Sequence, residues 1–171
     1  MKVIGFCGAA GAGKSTAADR LVHCHGFRRV RFAGPLKRMM WALGLDERHT
    51  DGALKELPCG LLGGRTPRFA MQTLGTEWGR DIIAQDLWLR AWRAEVKAAC
   101  KLVVVDDVRF ANEAEAVRQA GGTLIRITGR GGISGGHVSE LQDFVVHHTI
   151  DNAGCFDDFL AAVDGVVKTD P

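Results

Sequence analysis

Eight consecutive residues carry the clearest chemistry in this sequence. Gly8, Ala9, Ala10, Gly11, Ala12, Gly13, Lys14 and Ser15 fit the pattern G-x-x-x-x-G-K-[ST] at every fixed position. Small residues there let backbone N–H groups turn inward around a nucleotide's phosphates, which larger side chains would obstruct. A helix opening near Lys14 would add its positive end to the same anion. Lys14 would reach the β- and γ-phosphates, and the Ser15 hydroxyl would ligate Mg2+. Thr16 is a further contact for the α-phosphate. A dinucleotide fingerprint fits less well, because the order is G-x-x-G-x-G and the Lys-Ser pair would be unexplained.

A second group lies at Asp106-Asp107, directly after the apolar residues Leu102 to Val105. An acid at the end of a buried strand is where phosphate-cradle proteins hold magnesium, usually through water. One of the two aspartates should face the site, and Asp106 is assigned to the metal. There is no N-K-x-D guanine motif and no ABC-type signature, and 171 residues is too short for a helicase or motor core. A small kinase remains.

Charge distinguishes the possible acceptors. A hydroxyl acceptor wants a carboxylate to orient or deprotonate it. A monophosphate is already anionic and needs cations to gather two mutually repelling phosphates. Arg31-Phe-Ala-Gly-Pro-Leu-Lys37-Arg38 has cations and no acid, and Arg65, Arg68 and Arg80 follow. That balance favours a phosphorylated acceptor.

These groups need elements to position them. Lys2 to Cys7 reads as a buried parallel strand, and residues 14 to 25 as a helix with Ala17, Ala18, Leu21 and Val22 on one face. Val30 to Ala33 reads as a second strand. Gly34-Pro35 opens a helix to about Leu43, Pro67 starts another running toward Ile83, and Asp86 to Cys100 is a third. Leu102 to Val105 is the clearest central strand. Asn112 to Ala120 is a helix closed by Gly121-Gly122, followed by a strand at Thr123 to Thr128. An edge strand at His148 to Asn152 and a helix at Cys155 to Val163 complete the chain. The alternation predicts an α/β fold with a parallel central sheet flanked by helices. The organisation expected is a single domain, 1–171, with a helical insertion at 34–100 and a glycine-rich lid at 129–140.

Composition agrees with that class. No run approaches the ~18 apolar residues of a membrane span, and no membrane partner is expected. A net charge of +2 does not call for nucleic acid. Fifteen arginines against seven lysines suit bidentate grip on phosphate. Five scattered cysteines show no zinc-like spacing and read as reduced, in a cytoplasm. Glycine is in excess at 22 residues, and half fall in the cradle, in the acceptor-side loop (Gly60, Gly63, Gly64) and in the lid.

Further segments extend across nearly the whole chain: Phe32-Ala-Gly-Pro-Leu-Lys37, Thr66-Pro-Arg68, Gln72-Thr-Leu-Gly-Thr-Glu-Trp-Gly-Arg80 and Asp106-Asp-Val-Arg-Phe-Ala-Asn-Glu113. Gly121-Gly122, His137-Val-Ser-Glu140 and Ile150-Asp-Asn152 continue the order. With the cradle they resemble the phage-type deoxynucleoside monophosphate kinases, a family with the P-loop kinase fold. The resemblance implies transfer of the γ-phosphoryl group of ATP, with Mg2+, to a deoxynucleoside monophosphate. It implies an acceptor pocket lined by Lys37, Arg68, Gln72, Arg80, Trp88 and Asp107, although Trp88 also suits core packing. It places Arg109 at a phosphate near the magnesium acid, and Arg126 and Arg130 beside the lid as cations for the transferring group. A homodimer is compatible with it. Two residues depart from the pattern. Ala111 stands where proline is common, and Gly131-Gly132 follows Arg130 where the family has Pro-Gly.

Two other readings stay open at this point. One is a P-loop kinase acting on a hydroxyl, in a nucleoside, a dephospho-coenzyme-A-like molecule or a modified base in DNA, with Asp19, Asp51 or Asp107 as base. The other is a nucleotide-binding module without catalysis.

Overall fold

A computed structural model describes residues 1–99, 101–131 and 144–169. Positions 132–140 of the expected lid, with His137 and Glu140, lie outside the described residues, as does Cys100. The chain forms two compact units, Met1–Arg31 with Glu95–Pro171, and Phe32–Ala94.

In the first unit, five parallel strands lie in the order β2-β3-β1-β4-β5. They are β1 (Lys2–Cys7), β2 (Arg28–Arg29), β3 (Leu102–Val105), β4 (Thr123–Thr128) and β5 (His148–Asp151). Helices α1 (Lys14–His25), α6 (Ala111–Gln119) and α7 (Phe156–Thr169) belong to the same unit. The central strands are near-continuous apolar runs because both faces are covered. Ile4, Phe6, Val104, Ile125 and Ile127 join Ala17, Ala18 and Leu21 of α1 and Phe159 and Val163 of α7 in one core. The sheet thereby brings the C-terminal ends of β1, β3 and β4 together, where ligands bind in open α/β sheets.

The second unit contains α2 (Gly34–Ala42), α3 (Glu47–Thr50) and α4 (Pro67–Thr73), with 3-10 turns at Ala53–Glu56 and Gly60–Leu62. A π-helix at Leu74–Ile83 continues α4, and most of α5 (Leu87–Ala98) completes the unit. Leu36, Met40, Leu45, Met71 and Trp88 make its core. Among the described residues no helix is long and apolar enough to cross a membrane.

Three sequence expectations change. The second strand is Arg28–Arg29, not Val30 to Ala33. Val30 still donates to the Val104 carbonyl at 2.9 Å, but the chain then turns into α2. Val30 and Phe32 are buried, so their alternation reflects burial beyond the end of the ladder, while the true strand carries two charged residues at a sheet edge. The helix from Pro67 to Ile83 is continuous but changes winding at Leu74. The closing helix runs on to Thr169, because Val166 and Val167 extend the apolar face past Gly165.

Candidate active site

The cradle joins β1 to α1. Gly13 caps α1 with φ of 108°, a left-handed conformation that favours glycine. A Cβ there would also stand 2.6 Å from Nδ2 of Asn152. Asn152 follows β5, is buried, and donates from Nδ2 to the Ala12 carbonyl at 2.8 Å. The loop between Gly8 and Gly13 is thus held from beneath. The first turn of α1 carries no acidic residue, so the positive end of its dipole would meet an anion without competition from its own side chains. Lys14 arches back over the loop, donating from Nζ to the carbonyls of Gly8 (2.8 Å) and Ala9 (2.7 Å). Ser15 is exposed and Thr16 half-buried in the same turn.

Asp106 directly follows β3, with its side chain only 1% exposed. Arg31 forks onto it, Nε to Oδ1 at 2.7 Å and Nη2 to Oδ2 at 2.9 Å. Arg29 Nε stands 3.7 Å from Oδ2, and its Nη2 donates to the Ser15 carbonyl (3.1 Å) and to Asp19 (2.8 Å). Burial pushes the Asp106 carboxyl up. The Arg31 fork, the charges of both arginines and a hydrogen bond from Ser15 outweigh it, so the group sits below the ordinary carboxylate range and is ionised near neutrality. Asp107 is half-buried beside it.

Among the described residues, no group of three or more His, Cys, Asp or Glu side chains is arranged to hold a metal. Ser15 and Asp106 nonetheless touch, which suits a cation whose remaining ligands are phosphate oxygens and water. The residues present therefore fit a magnesium ion that arrives with a nucleotide.

The remaining arginines of this unit have particular settings. Arg126, paired with Cys7 across β1 and β4, donates to the Phe144 carbonyl at 3.0 Å and lies over the Phe144 ring. Burial raises the Cys7 thiol against the opposing influence of Arg126, so it stays protonated. Arg130 donates to the Gly154 carbonyl at 2.8 Å. Gly131 has φ of 80°, which proline cannot adopt, and a Cβ there would stand 2.2 Å from the Ala10 carbonyl. The departure at this position thus matches a close approach of Gly131 to the cradle. Arg109 is exposed at the turn into α6, where Glu113 accepts its backbone N–H (2.8 Å) and that of Phe110 (3.2 Å).

In the second unit, Lys37 on α2 pairs with Asp51, and Arg68 on α4 pairs with Glu56. The acid-free stretch around Lys37 therefore meets a carboxylate from a later turn, and Arg68 meets one from an earlier turn. Gln72 is exposed one helical turn after Arg68, and Arg80 is half-buried on the π-helix. Trp88 is 8% exposed, lies against Gly79 and donates its indole N–H to the Gly75 carbonyl at 2.8 Å. This is the core setting.

Sequence reasoning assigned no role to Arg29 or Asn152, and counted Arg31 only among the acceptor-side cations. Two arginines flanking one apolar residue place both cations on one face of an extended segment, a signal that was present. Nothing local marks Asn152 as a support for a loop 140 positions away in the chain.

No protein-family model matches the chain. A protein of Acanthamoeba polyphaga mimivirus, named "Putative deoxynucleotide monophosphate kinase", is 35% identical over 161 residues, covering 83% of this chain and 82% of that one. Among solved structures, TT1252 from Thermus thermophilus superposes with a TM-score of 0.55 at 16% identity, over 99% of this chain and 97% of that one. Shikimate kinase from Acinetobacter baumannii gives 0.50 at 12% identity, over 98% and 90%. At such identities these two structures speak for the fold alone.

Proposed function

The chain belongs to the deoxynucleotide monophosphate kinase family, and on that basis we propose that it transfers the γ-phosphoryl group of ATP to a deoxynucleoside 5'-monophosphate. Its fold is that of the P-loop kinases, and it is a nucleotide kinase. The observation that carries the proposal is the adjacency of three features in one unit. These are the Gly8–Ser15 cradle, Lys14 at its mouth, and Asp106 touching Ser15.

The chemistry follows from those groups. Backbone N–H groups of the cradle and the first turn of α1 bind the phosphates of the donor. Lys14 exchanges its two carbonyl contacts for phosphate oxygens, where its charge is more strongly attracted. Mg2+ supplies neutralisation of phosphate charge when it is bound, with Ser15 and Asp106 as its protein partners. Phosphoryl transfer asks little covalent chemistry of the protein, so positioning and electrostatics dominate. Lys37, Arg68, Gln72, Arg80 and Asp107 are proposed to receive the acceptor nucleotide. Its phosphate would take Lys37 and Arg68 from Asp51 and Glu56. Arg109, Arg126 and Arg130 are proposed as cations for the charge that develops on the transferring group.

The test is ADP formation from ATP and Mg2+ with each deoxynucleoside monophosphate in turn, including hydroxymethylated pyrimidines. Turnover of at least one is expected, and none with any would overturn the proposal. The Lys37–Asp51 pair keeps a carboxylate beside an acceptor-side cation. It therefore gives the hydroxyl-acceptor reading a specific base, and unphosphorylated nucleosides belong in the same panel.

A further inference from the structure

Two partners have a claim on the same buried carboxylate. Both oxygens of Asp106 accept from Arg31 at 2.7 and 2.9 Å, and the Ser15 hydroxyl reaches it as well. Arg29 Nε lies 3.7 Å away, buried and without a hydrogen-bond partner among the described residues. A carboxylate offers about four lone-pair sites, so these contacts leave little room for a hydrated cation. Within this set of ion pairs, Asp19 and Asp106 are matched by Arg29 and Arg31.

We infer that Arg31 and the divalent cation are alternative partners of Asp106. With no cation bound, the guanidinium neutralises the carboxylate. When a nucleotide brings its cation to Ser15 and Asp106, the fork opens and Arg31 gives up the carboxylate. Arg31 is then a positioning residue that damps the coupling between cation and nucleotide. Without the cation it screens the phosphates from a buried negative charge. With the cation, opening the fork subtracts from what the cation contributes. The inference rests on the nucleotide site proposed above and not on the identity of the acceptor.

Calorimetric titration of ADP into the full chain, once with EDTA and once with excess Mg2+, tests it without any turnover. The quantity read is the ratio of the two dissociation constants, metal-free over Mg2+. Arg31→Met is expected to raise that ratio about tenfold or more, mainly by weakening metal-free binding. Asp106→Asn keeps the side chain's shape and removes the charge, providing an independent arm if loss of the fork compromises folding. It is expected to bring the ratio toward one and to tighten metal-free ADP binding. A ratio in Arg31→Met that is unchanged or lower would overturn the inference, since Arg31 would then be a fixed strut. So would metal-free binding in Asp106→Asn that is unchanged or weaker. Failure of the unaltered chain to bind ADP under both conditions would overturn the nucleotide site and this inference with it. ADP binding without turnover of any deoxynucleoside monophosphate would count against the proposed acceptor alone.

Discussion

The side-chain amide of Asn152 donates to the carbonyl of Ala12 at 2.8 Å, so the residue after β5 holds the centre of the phosphate cradle. Its backbone N–H donates to the Thr128 carbonyl at 2.9 Å, which anchors the prop itself on β4. Asn152→Ala should therefore cost about 1–3 kcal/mol, the usual range for leaving a buried polar group unpaired. It should also weaken ADP binding. Urea denaturation and calorimetry read the two effects separately. Normal ADP affinity at reduced stability would limit Asn152 to a role in folding.

Lys14 tests the cradle more directly. Its ammonium is half-buried and held by two loop carbonyls, contacts that stabilise the loop without building the core. Lys14→Ala is expected to leave the far-ultraviolet dichroism unchanged and to lower kcat/KM by about a hundred- to a thousand-fold, the scale seen when a charge-stabilising donor is removed. Rates measured with purified variant and parent at equal concentration decide the matter. A trace rate unaffected by the change would point to contamination.

Gly79 sits under the indole of Trp88, and a Cβ there would lie 2.6 Å from the ring. The ring is buried and fixed by its bond to Gly75, so it cannot move aside cheaply. Gly79→Ala is expected to destabilise the second unit by about 1–3 kcal/mol through overpacking. Trp fluorescence during urea unfolding provides the measurement, and an unshifted midpoint would contradict this account.

Acid should loosen the contact between α1 and α7. Asp164 on α7 accepts both nitrogens of the Arg20 fork (2.9 and 2.7 Å) and a bond from His25 (2.8 Å), which hold its carboxyl well below the usual range. A carboxyl depressed by folding contributes stability that is fully present above its unfolded value near 4 and is lost as pH falls toward its folded value. The difference in Tm between the parent and Asp164→Asn should thus be largest near neutrality and shrink below about pH 4. A difference that stays constant down to pH 2 would exclude linkage through this group.

Much of the fold could be read along the chain because the signals were local. The apolar run Lys2–Cys7, the glycines after it and the helix from Lys14 place the cradle without any tertiary information. The same holds for Leu102–Val105 and the acid that follows. Where the sequence reading slipped, the controlling contact was distant. Arg28–Arg29 is a strand because β3 lies beside it, although two arginines carry no strand signal of their own. Leu74–Ile83 carries apolar periodicity that does not distinguish α from π winding.

The amino-acid order by itself determined the chemical inventory: a phosphate cradle, its lysine and serine, an acid on a central strand, and a surplus of arginine. Only the tertiary structure decided which charges meet. Arg31 and Asp106 are 75 positions apart, Lys37 meets Asp51, Arg68 meets Glu56, and Asn152 reaches Ala12 across 140 positions. Hydrophobic periodicity acts over a few residues and shows in any short window. A charge selects its partner by distance in space and by how little water separates the pair, and the chain order encodes neither.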